Sequence, residues 1–235
     1  MRALAIVYQR DAGPGVFAEA ITAHGASLET WMPAEGHGAP SDSPDYDAVL
    51  AFGGAMHADQ EDAHPWLRKQ KALLGDLLER RVPLLGVCLG AQLLAEAAGA
   101  SPRRSPEPEI GWHRVTLTDA GAADPVLAPL APAFEGFEWH SYEFPLPAGA
   151  VELARSAACL QAFRLGELAW AIQFHAEVTA ADAEAWIDDY RSDPDAVRIG
   201  LDAAALRAAT RSRIEAWNEL GRGICERFLE AATRA

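Results

Sequence analysis

A cysteine between two glycines, at the end of an apolar run, is the first chemistry that the chain offers. In Pro83-Leu84-Leu85-Gly86-Val87-Cys88-Leu89-Gly90-Ala91-Gln92-Leu93-Leu94 a strand pattern gives way to Gly-x-Cys-x-Gly and then to a helix pattern. That is the cysteine form of a nucleophile elbow. The tight turn holds the nucleophile in a strained backbone conformation, and Gly86 and Gly90 leave room for the close packing it needs. The thiol then stands at a helix N-terminus, where the dipole and free N–H groups favour a thiolate. The N–H of Leu89 points where an oxyanion would form. A thiol nucleophile needs a base, and the base needs an orienting group. Ala169-Trp170-Ala171-Ile172-Gln173-Phe174-His175-Ala176-Glu177 supplies both. Residues two apart in a strand share a face, so Glu177 can hold one imidazole nitrogen of His175 while the other faces Cys88.

The elements that must position these groups follow from the hydrophobic pattern. Ala3–Tyr8, Tyr46–Phe52 and Pro83–Val87 are short continuous apolar runs, the mark of buried parallel strands; Ser27–Trp31 is a weaker one. Val16–His24, Pro65–Arg80 and Leu89–Ala98 are helical between them. Glu35–Asp45 reads as a loop, as does Ser101–Pro108 with its three prolines and its basic pair Arg103-Arg104. The alternation predicts an α/β fold with helices on both faces of a mostly parallel central sheet. Trp112–Thr118, Phe134–Trp139, Val151–Ala154, Leu160–Arg164 and Ala169–Phe174 are further short strands, and from Ala181 the chain is helix-forming to its end.

The 235 residues carry 20 Lys+Arg against 34 Asp+Glu, a net charge of −14. Nucleic acid and anionic membranes need basic patches, so neither is an expected partner. No run approaches the roughly 18 apolar residues of a membrane span. Cys88, Cys159 and Cys225 form an odd, sparse set that makes a poor disulfide framework, so a reducing cytoplasm is the expected location. No CxxC or HxxxH spacing predicts a metal site, and no phosphate-cradling Gly-x-x-x-x-Gly-Lys-[Ser/Thr] loop occurs. Neither a metal nor a cofactor is expected.

With these motifs the sequence resembles the class I (triad) glutamine amidotransferases over about residues 1–180. Phe52-Gly53-Gly54-Ala55-Met56 is similar to the family's oxyanion loop, Gly86-Val87-Cys88-Leu89-Gly90-Ala91-Gln92 to its nucleophile motif, and Gln173-Phe174-His175-Ala176-Glu177 to its His-x-Glu motif. Glu109-Ile110-Gly111-Trp112 and Trp139-His140-Ser141 resemble segments of stand-alone members. The resemblance implies a flavodoxin-like three-layer sandwich over residues 1–180, with 181–235 as a helical extension packed on it. It also implies hydrolysis of the γ-amide of glutamine. Cys88 would be nucleophile, His175 base and then acid, and Glu177 orienter. The N–H groups of Gly54 and Leu89 would form the oxyanion hole. Gln92 and the backbone of Ser141 and Tyr142 would hold the ends of a glutamyl substrate. Ala55 and Ala176 stand where the family often has Pro, which loosens the backbone without removing a reactive group. No synthetase domain is recognisable, so ammonia, if transferred, would go to a separate acceptor subunit.

Two other readings stay open. The same triad serves a γ-glutamyl peptide or γ-glutamyl amine hydrolase, for which His57, His140, Tyr142 and the Arg103–Pro108 segment are the candidate mouth residues. A non-catalytic regulatory subunit could keep the fold and bind a partner through the C-terminal helices. Trp186 and Trp217 in those helices either anchor a partner or fold back on the sheet.

Overall fold

The computed structural model describes the chain except residues 37, 39, 41–45 and 235, so most of the Asp- and Ser-rich end of the expected Glu35–Asp45 loop lies outside the described residues. The first strands are β1 (Arg2–Ile6), β2 (Ser27–Trp31), β3 (Ala48–Ala51) and β4 (Leu84–Val87), joined through helices α1 (Gly15–Ala23) and α2 (Trp66–Glu79). Helix α3 (Leu89–Ala97) begins directly after Cys88. The second half supplies β5 (Arg103–Leu117), the short α4 (Asp119–Ala122), β6 (Ala133–Glu143), β7 (Ala150–Arg155), β8 (Leu160–Leu165) and β9 (Ala169–Ile172). Helices α5 (Ala180–Asp188), α6 (Pro194–Arg198) and the long α7 (Ala203–Thr233) close the chain.

All nine strands form one sheet in the order β2-β1-β3-β4-β9-β8-β7-β5-β6. The pairings from β2 to β9 are parallel. Those from β9 to β6 are antiparallel. The α/β expectation holds, but the mostly parallel, flavodoxin-like sheet gives way to a mixed one. The reason is connection length. Only residues 156–159 separate β7 from β8, and only 166–168 separate β8 from β9. A parallel crossover needs about a dozen residues or more, so these strands must turn back on themselves.

Strand β1 shows how the sheet divides the interior. Ala3, Ala5 and Val7 face one apolar core with residues of α1, α5 and α7. Leu4, Ile6 and Tyr8 face the other with residues of α2 and α3. Burial on both faces is why the run reads as continuously apolar.

The expected Ser101–Pro108 loop is instead the start of β5 from Arg103 onward. Two features reconcile a strand with its prolines. The register against β6 shifts between Arg104 and Glu109, a bulge. On the other side, β7 meets β5 only at Thr116 and Leu117. Pro106 and Pro108 therefore fall where the ladder does not demand their missing N–H groups.

Candidate active site

Cys88 lies between β4 and α3 with φ 52° and ψ −109°. An L-residue reaches this region only when its surroundings force it there. The flanking glycines explain how. A Cβ on Gly90 would lie 2.0 Å from the carbonyl oxygen of Ala51, and one on Gly86 would lie 2.7 Å from that of Gly90. The first turn of α3 is thus pressed against β3 and β4, and any side chain at either position would push it off. The Cys88 thiol is 4.0 Å from the carbonyl oxygen of Trp139.

His175 follows the end of β9. Its Nδ1 donates to Glu177 Oε1 at 2.7 Å, while Nε2 is buried without a hydrogen-bond partner. The ring meets Trp186 edge-on, with centroids 4.8 Å apart. Gly53 marks the convergence, since a Cβ there would be 3.1 Å from His175 Cε1 and 3.7 Å from Cys88 Cβ. Burial opposes a charge on His175, but Glu177 and Cys88 outweigh it and hold the imidazole well above its ordinary pKa.

The segment carrying His175 and Glu177 is gripped from two helices. The Val16 N–H at the start of α1 donates to the Glu177 carbonyl at 2.9 Å. From α7, Trp217 Nε1 donates to the His175 carbonyl at 2.8 Å and Asn218 Nδ2 to that of Val178 at 2.6 Å. Gly221 packs so closely that a Cβ would lie 2.0 Å from the Ala176 oxygen. Trp186 is likewise turned inward, donating to the Asp11 carbonyl at 2.9 Å. Of the two alternatives for Trp186 and Trp217, the structure shows them folded back.

Cys88, His175, Gly54, Leu89, Gln92, Ser141 and Tyr142 all line one cavity of about 330 Å³, and Glu177 stands behind His175 outside its wall. That volume is at the lower end of the roughly 300–1,000 Å³ of small-molecule sites. Gln92 spends its amide N–H groups on the Tyr142 carbonyl at 3.5 Å and Gln173 Oε1 at 3.3 Å. Tyr142 stacks on His57, with ring centroids 4.0 Å apart, and donates to Asp59 at 3.1 Å.

Arg104, from the expected Arg103–Pro108 mouth segment, lines the cavity, but the sequence reading missed much of the rest of the outer wall, which includes Gln9, Asp11, Trp139, Asp189, Asp193 and Asp195. Asp193 caps α6, accepting from Asp195 N at 2.8 Å, and its other oxygen accepts from Trp139 Nε1 at 2.9 Å. This cap presents Asp195 to Arg104, which reaches both carboxylate oxygens at 2.6 Å. The Asp193-Pro194 pair, a helix cap followed by proline, is the local signal that could have placed this turn.

Glu109, His140 and Cys159 bring one ligand atom each to within 4.8 Å of one another, all buried. Spacing rules cannot find such a set, because strands β5 and β6 and the turn before β8 supply it. The same atoms suit either a metal or an ion pair centred on His140. No helix among the described residues is long and apolar enough to cross a membrane.

Comparison with known proteins places this geometry in a family. Residues 18–189 match the family model described as glutamine amidotransferase class-I. The glutamine amidotransferase-like protein YfeJ of Salmonella typhimurium is 28% identical over 216 residues, 88% of this chain and 90% of that protein. A glutamine-hydrolyzing GMP synthase subunit of Sulfurisphaera tokodaii is 33% identical over 57% of this chain and 69% of its own length. The HisH subunit of imidazole glycerol phosphate synthase from Xylella fastidiosa is 31% identical over 47% of this chain and 62% of its own length. Among solved structures, a glutamine amidotransferase from Thermotoga maritima superposes with a TM-score of 0.87 at 28% identity, covering 98% of each chain. The chain belongs to the class I glutamine amidotransferase family.

Proposed function

We propose that this protein hydrolyses the γ-amide of glutamine, with Cys88 as nucleophile, His175 as base and then acid, and Glu177 as orienter. The single observation that carries the reading is the pose of His175. Its Nδ1 is committed to Glu177, and its free Nε2 is buried on the cavity wall that Cys88 shares.

The Cys88 thiolate attacks the γ-carbonyl carbon, and the π-electrons of that bond move onto oxygen. The N–H groups of Gly54 and Leu89 receive the oxyanion. His175, protonated at Nε2, gives that proton to the departing amide nitrogen; the C–N bond breaks, ammonia leaves and a γ-glutamyl thioester remains. Water then loses a proton to His175 as it attacks the thioester, and the C–S bond breaks to release glutamate and Cys88. Gln92 and the backbone of Ser141 and Tyr142 hold the amino and carboxylate ends of the substrate. Residues 1–180 form the amidotransferase-like unit, and 181–235 brace it. Two relatives are named as subunits of synthases, which supports a separate acceptor chain for the ammonia.

A glutaminase assay of the full chain beside Cys88→Ala tests the reading. Glutamate release by the first and none by the second is the expected result. Equal rates would sink it. Failure of a glutamine-like electrophile to label Cys88 would favour the non-catalytic binding subunit.

A second reading is favoured by the outer wall. Asp11, Asp189, Asp193 and Asp195 line it, and the one Lys or Arg among the described lining residues, Arg104, is tied to Asp195. Such a wall suits a γ-glutamyl amine whose leaving group carries a positive charge. Comparing kcat/KM for glutamine, a γ-glutamyl diamine and a γ-glutamyl dipeptide decides between them.

A further inference from the structure

A second group of buried ionisable side chains borders the same cavity. His140 is the direct cross-strand partner of Glu109 on β5, and Glu138 precedes it by two residues on β6. Strand periodicity therefore turns all three side chains to one face. Glu138 is 0% exposed and neither of its carboxylate oxygens has a hydrogen bond. Glu109 is buried too; its Oε2 accepts from Gln161 Nε2 at 2.8 Å and Ser156 Oγ at 2.9 Å. Burial holds the Glu138 carboxyl above its ordinary range while Glu109 lies below its own, and a carboxylate pair taken out of water is relieved by a nearby cation.

The cation that fits is His140. Its Nδ1 donates to the Tyr142 carbonyl at 2.9 Å, which settles that nitrogen as an N–H. Its Nε2 lies 3.3 Å from Glu138 Oε2 and 3.5 Å from Glu109 Oε2. A lone pair there would face two carboxylate oxygens, whereas a proton there makes the ring the counter-charge of both. Burial works against that charge, but Glu109 and Glu138 prevail and push the imidazole up to about 10. The other ionisable groups around the cluster are His113, 3.7 Å from Glu109, and Cys159, whose thiol burial pushes well up. On the cavity side the facing group is Cys88, bonded to the carbonyl of the adjacent Trp139.

We propose that His140 is a cationic positioning residue: its charge, held by Glu109 and Glu138, supports the Cys88 thiolate, and its Nδ1–H fixes the Ser141–Tyr142 wall of the cavity. The proposal rests on the reading of Cys88 as nucleophile. It adds a second buried cation to the one that His175 provides.

The test compares the full chain with His140→Gln in three measurements. Iodoacetamide alkylation, with the modified cysteine located by peptide mass spectrometry, reports on Cys88, which lines the cavity whereas Cys159 and Cys225 do not. The alkylation rate at pH 7 should fall about tenfold in His140→Gln, with the midpoint of its pH profile displaced upward. Superimposable profiles in a folded variant would overturn the proposal. Nitrogen-15 NMR of the unmodified chain needs no variant: both His140 ring nitrogens should be protonated at pH 7, and an unprotonated Nε2 overturns it. Zinc bound stoichiometrically to the purified chain and lost in Cys159→Ser would overturn it as well, since a metal at Glu109, His140 and Cys159 needs the Nε2 lone pair. Absence of glutamine hydrolysis by the unmodified chain, with the alkylation and NMR results as expected, would remove the glutaminase reading and leave this one standing.

Discussion

The indole N–H of Trp217, in the last helix, donates to the backbone carbonyl of His175 at 2.8 Å. The helix farthest along the chain thus fixes the peptide that carries the proposed base. Trp217→Phe keeps the aromatic packing against Phe134 and Phe174 but removes the donor. Leaving a buried carbonyl unpaired costs about 1–3 kcal/mol. At about 2–4 °C per kcal/mol for a chain of this size, the melting temperature should fall by several degrees. Thermal unfolding measures the loss, and kcat for glutamine should fall with it because the imidazole is no longer held in register. A melting temperature unchanged within error would show that the contact contributes nothing.

Glu177→Gln should be far more damaging to turnover than to folding. The carboxylate can only accept, so it compels a proton on His175 Nδ1. A carboxamide can donate to that nitrogen and so allow the tautomer whose Nε2 carries the proton before the thiol has been activated. In the serine-protease triad the corresponding change lowers kcat about 10⁴-fold. A loss of about 10³–10⁴-fold is expected here, with circular dichroism unchanged. A loss below tenfold would remove Glu177 from the role of orienter.

Stability should fall as pH rises on the alkaline side. His140 is raised from its ordinary value of 6.5 to about 10 in the folded chain by the two glutamates that face it, against the opposing effect of burial. A group bound more tightly to its proton when folded stabilises fully below the unfolded value and loses that contribution as pH rises through the folded one. Denaturant midpoints measured from pH 6.5 to 10 should decline for the unmodified chain and decline less for His140→Gln. Parallel slopes would show that His140 carries no excess proton.

The parts legible in the sequence are those whose causes are local. Gly86, Cys88 and Gly90 declare a turn within five residues, and His175 and Glu177 share a face by strand periodicity. The parallel strands are legible because burial on both faces leaves no polar interruption. What local pattern cannot carry is pairing. The hairpins β7–β8 and β8–β9 are short-range, yet their antiparallel sense depends on connection length, which the alternation of strand and helix outweighed. Pro106 and Pro108 speak for a loop until the bulge in β5 and its missing neighbour are known. The cluster of Glu109, Glu138 and His140 exists only through the β5–β6 register. The Asp193–Asp195 wall exists only because α6 returns to the mouth of the cavity. The role of α7 was equally hidden, since nothing near Trp217 in the chain mentions His175.

The backbone of Cys88 has a consequence for laboratory evolution of this protein. A conformation of this kind costs an L-residue about 1–3 kcal/mol, and glycine adopts it at no steric cost. Cys88→Gly should therefore raise the melting temperature by a few degrees while abolishing turnover, readable by calorimetry beside a glutaminase assay. A library selected on heat resistance alone would drift toward inactive members at position 88. Any search for a sturdier variant has to score activity in the same round.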